Sequence, residues 1–238
     1  MNHTSKRKLN NKGAAMVLTV VIILVVMIFV FSLILVSYNL YASQTKNLTS
    51  TRNAEAVNTL SNALADELTD GDAYLNSNLW KYIRYNIAYN DTSGDWEDWP
   101  CYLLQDDGIT AVAGHDRDYA CRYFTVDNNS NIEGTPAVTT VCIYWMPPEG
   151  MDAVDFATAI AANPISAKNG LRLIVETTAQ TANQVYRVTD IYELSVNKIT
   201  DAAKIQALRL EGEVSEFNPV PHTVNYDEDW TFVHVERK

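Results

Sequence analysis

The sequence predicts an α+β protein in which a long N-terminal helix packs on a mainly antiparallel β-sheet head domain. Residues 14–38 form an apolar run that only Thr19, Ser32 and Ser37 interrupt. Neither glycine nor proline occurs from residue 14 through residue 70, so no strong helix breaker lies in this stretch. Beyond residue 100, apolar segments alternate with turn-forming residues, which is typical of antiparallel strands.

The apolar run is long enough to cross a bilayer, which takes about 20 residues in a helix. It is longer than the apolar core of a cleaved secretory signal, which has about 7–15 residues. The nearest small-residue cut site for such a signal, at Ala42, is preceded by Leu40 and Tyr41. We therefore predict a single, retained transmembrane helix over residues 14–38, in contact with membrane lipid.

The charges that flank the run predict its orientation. Four basic residues lie within residues 6–12, whereas only Lys46 and Arg52 follow the run closely. Because basic flanks stay in the cytoplasm, we expect residues 1–13 to lie inside and the C-terminal domain outside the cell. All 29 acidic residues but only 14 of the 18 basic ones follow the run, which gives the exported part 14 − 29 = −15. Such a charge disfavours binding to nucleic acid.

Residues 39–70 are predicted to continue the helix outside the membrane. Val57, Leu60, Leu64 and Leu68 recur at helical spacing and form one apolar face, which needs another surface to cover it. Residues 44–51 are weak helix formers, so we expect some loosening at residues 49–51. Two separate helices joined by a short linker are the alternative.

Residues 71–238 are predicted to form the head domain. Apolar residues at helical spacing indicate helices at residues 78–89 and 152–162. Alternating apolar residues between turn signals indicate strands at residues 101–104, 119–126, 138–146, 171–178 and 184–196. Residues 207–216 and 230–235 are each expected to add an edge strand.

The sequence offers little catalytic chemistry. His3, His115, His222 and His234 lie far apart, and none is next to a nucleophile motif. No phosphate-binding loop or dinucleotide-binding fingerprint is present either. We therefore expect no enzymatic activity and no cofactor.

Two acidic segments have oxygen ligands but not the pattern of a calcium loop. Asp127 begins an Asx-rich turn, yet Ile132 and Val138 stand where a calcium loop of the EF-hand type needs glycine and glutamate. The second segment, with Asp91, Asp95 and Asp98, is no more specific. We interpret both segments as solvated turns and expect no metal site.

The three cysteines allow a disulfide if the domain is exported. Cys142 lies inside an apolar strand, where a buried thiol is the ordinary state, so Cys101 and Cys121 are the expected pair. Three thiols without a disulfide are an equally open alternative. The spacing does not fit a structural zinc site.

The N-terminus carries the one resemblance to a known family. A basic leader, Lys6-Arg-Lys-Leu-Asn-Asn-Lys-Gly13, runs directly into the apolar helix at Ala14. This resembles the class III leader of type IV prepilins and of the pseudopilins of type II secretion. The resemblance implies that a prepilin peptidase cuts between Gly13 and Ala14, and that the membrane half of the helix later joins the core of a filament beside other pilin-like subunits.

Two positions differ from the major pilins. The residue after the cut is Ala14 where major pilins have phenylalanine, and Leu18 stands where they have a glutamate. That glutamate is thought to neutralise the N-terminal amine of a neighbouring subunit. Its absence resembles the minor, tip-type members of both systems.

Two functions follow from these observations. The first is a structural subunit of a type IV pilus or of a type II secretion-like filament, anchored in the membrane before assembly. The second is a signal-anchored, single-pass surface protein whose acidic domain binds an unknown ligand or a wall component. Processing at Gly13 distinguishes the two.

Overall fold

The computed structural model describes residues 11–86, 89–90, 95–96, 100–127, 138–163, 168–181, 184–214 and 226–238. The chain divides into two compact units, Met1–Leu48 and Thr49–Lys238. The first unit holds the apolar run, and the second holds the head domain.

Helix α1 extends over Asn11–Thr69. Its large apolar side chains from Leu18 to Tyr41 are each between 49% and 68% exposed. It is the one helix among the described residues that is long and apolar enough to cross a membrane. α1 ends at Thr69, which confirms the predicted ending near residue 70. It is helical through residues 49–51, so the loosening expected there is not seen and the alternative of two helices is wrong.

The second unit is built on a five-stranded antiparallel sheet in which neighbours in sequence are neighbours in space. This is a meander, the simplest topology for strands that short loops connect. The strands, in order across the sheet, are β3 (Arg122–Asp127), β4 (Val138–Met146), β5 (Arg172–Thr181), β6 (Gln184–Lys198) and β7 (Glu228–Arg237). Two further short strands, β1 (Tyr89–Asn90) and β2 (Asp95–Trp96), form a separate antiparallel pair among the described residues.

One face of the sheet packs against the second half of α1. Leu64 and Leu68 of the helix belong to the main core together with Ile143, Trp145 and Leu173 of the central strands. Near the other end of this contact, Val57 forms a smaller cluster with residues of β5 and β6. The arrangement predicted from the sequence, a long helix on an antiparallel sheet, is confirmed.

Five shorter helices complete the fold of the described residues. They are α2 (Ala73–Asn76), α3 (Asn78–Asn86), α4 (Arg117–Ala120), α5 (Ala153–Ala162) and α6 (Ala202–Val214). The helix predicted at residues 152–162 is confirmed by α5. Asp152 is its N-cap, since the Asp152 side chain accepts a hydrogen bond from the Asp155 amide.

Two predicted strands are wrong. Residues 101–104 make only isolated bridges, Cys101 with Trp145 and Leu104 with Ala111, because the chain turns back on itself directly afterwards. Residues 207–216 lie largely in α6, where alanine, lysine and leucine favour a helix and Ile205 and Leu208 supply the apolar contacts.

The contact between α1 and the sheet predicts the first measurable effect. Leu68 is 1% exposed in the main core, so Leu68→Ala should lower the free energy of unfolding by about 2–5 kcal/mol through lost burial and a residual cavity. Thr59→Ala, on the exposed side of the same helix, is the matched control and should change it by less than about 0.5 kcal/mol. Urea unfolding of the detergent-solubilised chain measures both, and equal effects would contradict the packing described.

Candidate functional site

The expected processing residues lie at the N-terminal end of α1. Gly13 and Ala14 are both within its helical backbone, a few residues after its first residue, Asn11. Leu18, at the position of the glutamate of major pilins, is 62% exposed.

The cysteine prediction is wrong in its pairing. Cys121 and Cys142 form the disulfide, with their Cα atoms 5.9 Å apart, and Cys101 is a buried thiol in the main core. Tyr123 pairs with Cys142 across the first two strands of the large sheet, so Cys121 is a diagonal neighbour of Cys142 on the same face. Cys101 lies beside Trp145 instead, among side chains that face α1.

The disulfide adjoins a polar cluster on the face of the sheet opposite α1. Glu176, 8% exposed, accepts hydrogen bonds from the Tyr144 hydroxyl at 2.8 Å and from the Arg117 guanidinium. Burial, together with the adjacent Glu176, raises the pKa of Tyr144 to about 12. Arg117 also lies 3.9 Å from the Cys142 sulfur. The cluster thereby holds α4 and the disulfide against the sheet.

A second polar cluster joins α1 to the sheet. Asp190 of β6 is fully buried, and its carboxylate accepts hydrogen bonds from Ser61 of α1, from Arg237 at 2.6 Å and from His234 at 2.9 Å. Arg237 donates further bonds to Ser61 at 2.8 Å and to Asn62 at 2.7 Å. We call these five residues the Asp190 cluster.

The Asp190 cluster contains serine, histidine and aspartate but not in the geometry of a catalytic triad. Ser61 and His234 both bond the carboxylate, whereas a triad needs a hydrogen bond from serine to histidine. Ser61 is fully buried, and its hydroxyl also accepts from Arg237. The cluster is therefore a structural connection between helix and sheet. The sequence signal for this cluster is Asp190, an acidic residue at an inward position of the predicted strand 184–196, between Val188 and Tyr192.

An open groove of about 870 Å³ lies between α5 and the segment 103–115. Its apolar lining is supplied by Leu103, Val112, Ala153, Val154, Ala157 and Ala161. Gln105, Asp106, Asp107, His115 and Thr158 supply the polar lining. His115 is oriented by a hydrogen bond of its Nδ1 with the Cys101 carbonyl oxygen at 3.1 Å.

The two acidic turns fall mostly outside the described residues, as do His3 and His222. Among the residues that are described, no group of three or more histidine, cysteine, aspartate or glutamate side chains is placed to hold a metal ion. His115 and His234 belong to the groove and to the Asp190 cluster, respectively.

No protein family, curated protein or solved structure matches this chain.

The disulfide predicts a specific alkylation pattern. Without reductant, the denatured protein should be alkylated at Cys101 alone, and with reductant at all three cysteines. Cys142→Ser should lower the free energy of unfolding by roughly 3 kcal/mol, because the bond closes a loop with a sequence separation of 21. Cys101→Ala keeps the bond and is the control for it. A peptide map that links Cys101 to Cys121 would contradict the assignment.

The Asp190 cluster predicts a pH-dependent stability. Burial alone would raise the pKa of Asp190, but hydrogen bonds from Arg237, Ser61 and His234 outweigh it and hold the pKa below the ordinary value of 3.8. The charged cluster therefore stabilises the fold fully above about pH 5, and this stability is lost as the pH falls below about 4 and through the lowered pKa. Asp190→Asn should cost about 2–4 kcal/mol at pH 7, since it leaves the Arg237 charge without its partner.

Unfolding measured at pH 7 and at pH 3 checks this prediction. The difference between wild type and Asp190→Asn should shrink at pH 3, because Asp190 of the unfolded wild-type chain binds a proton below about pH 4 while the lowered pKa keeps the folded chain from gaining the same benefit. Glu55→Gln, which removes an exposed acid from α1, is the control and should show little difference at either pH. A constant difference across the pH range would assign the effect of Asp190 to shape alone.

Proposed function

We propose that this protein is a minor, tip-type structural subunit of a type IV pilus-like or type II secretion-like filament, anchored in the membrane by one helix before assembly. The observation that carries the proposal is α1 itself. One helix of 59 residues combines an exposed apolar stretch with a C-terminal stretch that packs on an antiparallel sheet. A simple signal anchor has no need for a helix that also belongs to the core of its domain.

The apolar stretch of α1 supports a role in two environments. Its side chains are exposed on every side of the helix from Leu18 to Tyr41, so the stretch is suited to lipid all around it. The same surface can pack against identical or similar helices once the subunit leaves the bilayer. Between Lys12 and Lys46 no charged side chain opposes either environment.

The residue at position 18 supports a place at the tip. A leucine there provides no carboxylate to neutralise the terminal amine of another subunit in an apolar filament core. Leaving that amine unpaired costs several kcal/mol or more. A subunit at the tip has no such neighbour on one side, so it avoids the cost.

The disulfide supports an extracytoplasmic location for the head domain. Disulfides between buried cysteines persist in oxidising compartments and are rare in the cytosol. This agrees with the orientation that the basic leader predicts. The head is therefore proposed to lie outside the membrane, with the leader in the cytoplasm where a prepilin peptidase reaches it.

Processing at Gly13 tests the proposed function. The wild-type protein should lose residues 1–13, and N-terminal sequencing should begin at Ala14. Gly13→Leu should remain full length and membrane-bound, because a bulky side chain blocks the cut, and it should be absent from the sheared surface fraction. Gly13→Ala is the matched control, since its small side chain should allow cutting to continue.

Two results would contradict the filament proposal. An N-terminus at Met1 shows that no leader is removed, and one near Ser43 shows that a secretory signal is removed instead. In either case a surface protein with an acidic domain becomes the better account.

A further inference from the structure

The groove between α5 and the segment 103–115 has the size and lining of a binding site. Ligand sites of about 300–1,000 Å³ with a mainly apolar lining and a few polar groups are typical of proteins. Val154, on the α5 wall, is 65% exposed, and Ala157 and Thr158 of the same wall are exposed as well. On the opposite segment, the half-buried side chains of Leu103 and Val112 supply the apolar lining. Apolar surface is thus presented on both elements that form the groove.

The charge of the groove is negative. Asp106 and Asp107 lie on its rim, and none of the described residues that line it is lysine or arginine. Asp107 stays ionised, because hydrogen bonds from the Thr110 hydroxyl and from the amides of Ile109 and Thr110 lower its pKa. The positive end of the α5 dipole does not offset this charge, since the Asp152 cap and Asp155 already neutralise it.

From this complementarity we propose that the groove binds a basic amphipathic peptide segment of another protein, with apolar side chains on α5 and lysine or arginine side chains at Asp106 and Asp107. The proposal does not rest on the filament function. α5 has ten residues and is about 15 Å long, which suits two or three turns of a docked helix. Helices bind such grooves through apolar residues at helical spacing, and charges at the rim select the partner.

A second copy of this chain is disfavoured as the occupant. The exported part carries 14 − 29 = −15, so two copies repel each other at the distances of an interface. A basic partner is attracted by the same field, and its attraction weakens as salt screens it.

The test uses the full chain in nanodiscs of zwitterionic lipid, with empty nanodiscs as the background. The probe is a fluorescent peptide of about 14 residues, or four helical turns, with leucine on one face and lysine on the other. A second peptide has glutamate in place of every lysine. Anisotropy should show binding of the lysine peptide, at least about tenfold weaker binding of the glutamate peptide, and a loss of affinity as salt increases.

Variants locate the binding. Ala157→Trp fills the groove and should weaken the lysine peptide about tenfold, and Asp106→Asn about threefold. Ala203→Trp on the exposed side of α6 and Glu55→Gln on α1 are the matched controls and should leave binding unchanged. Thr158→Arg places a positive charge in the groove and gives an independent check if Ala157→Trp alters the fold seen by circular dichroism.

Three results would overturn the proposal. The first is equal affinity for the two peptides, and the second is lysine-peptide binding that survives both Ala157→Trp and Thr158→Arg. The third is self-association of the chain that Ala157→Trp abolishes, which would make a second copy the occupant.

Discussion

The contact between the second half of α1 and the sheet is the interaction on which the head domain depends. A meander of five strands has two faces, and one of them is closed by this helix, which supplies Leu64 and Leu68 to the main core. An isolated helix gains little stability in water, so the packing of its apolar face is what keeps this part of α1 helical. Sheet and helix therefore stabilise each other, and neither has a complete core alone.

The Asp190 cluster fixes the position of α1 on the sheet, which the apolar contact alone does not do. Apolar packing alone allows a helix to slide or rotate at small cost, whereas a buried carboxylate is tolerated only when each of its hydrogen bonds is made. Ser61 and Arg237 meet at Asp190, so one turn of the helix is fixed against the last strand of the sheet. Asn53, two turns earlier in α1, makes a second polar contact with the sheet by donating a hydrogen bond to the Gln184 carbonyl oxygen at 3.0 Å. These polar contacts set the register of the helix on the sheet.

Periodicity predicted most of the fold because most elements bury one face. The sequence pattern locates both ends of β4, since the apolar run at Val138–Met146 lies between strong turn formers. The disulfide could not be predicted from the same run. Because both faces of β4 are buried, its sequence does not alternate and does not show that Cys142 faces Cys121. The segment 207–216 has apolar residues that suit either a strand or a helix, and the contacts of Leu208 decide in favour of α6. The Asp190 cluster depends on positions more than a hundred residues apart, which no local pattern joins.

The exposed stretch of α1 limits the states in which this protein can exist. Burying one large aliphatic or aromatic side chain is worth about 1.5–3 kcal/mol, so the side chains from Leu18 to Tyr41 together represent tens of kcal/mol. The cost of exposing that surface to water is therefore larger than the whole folding stability of a domain of this size, which is about 5–15 kcal/mol. The stretch therefore needs an apolar cover, which in the proposed function is lipid before assembly and other helices after it. If the subunit assembles as proposed, extraction from the bilayer and packing beside another subunit have to occur as one coupled step, because the intermediate with a bare helix is too unfavourable to accumulate.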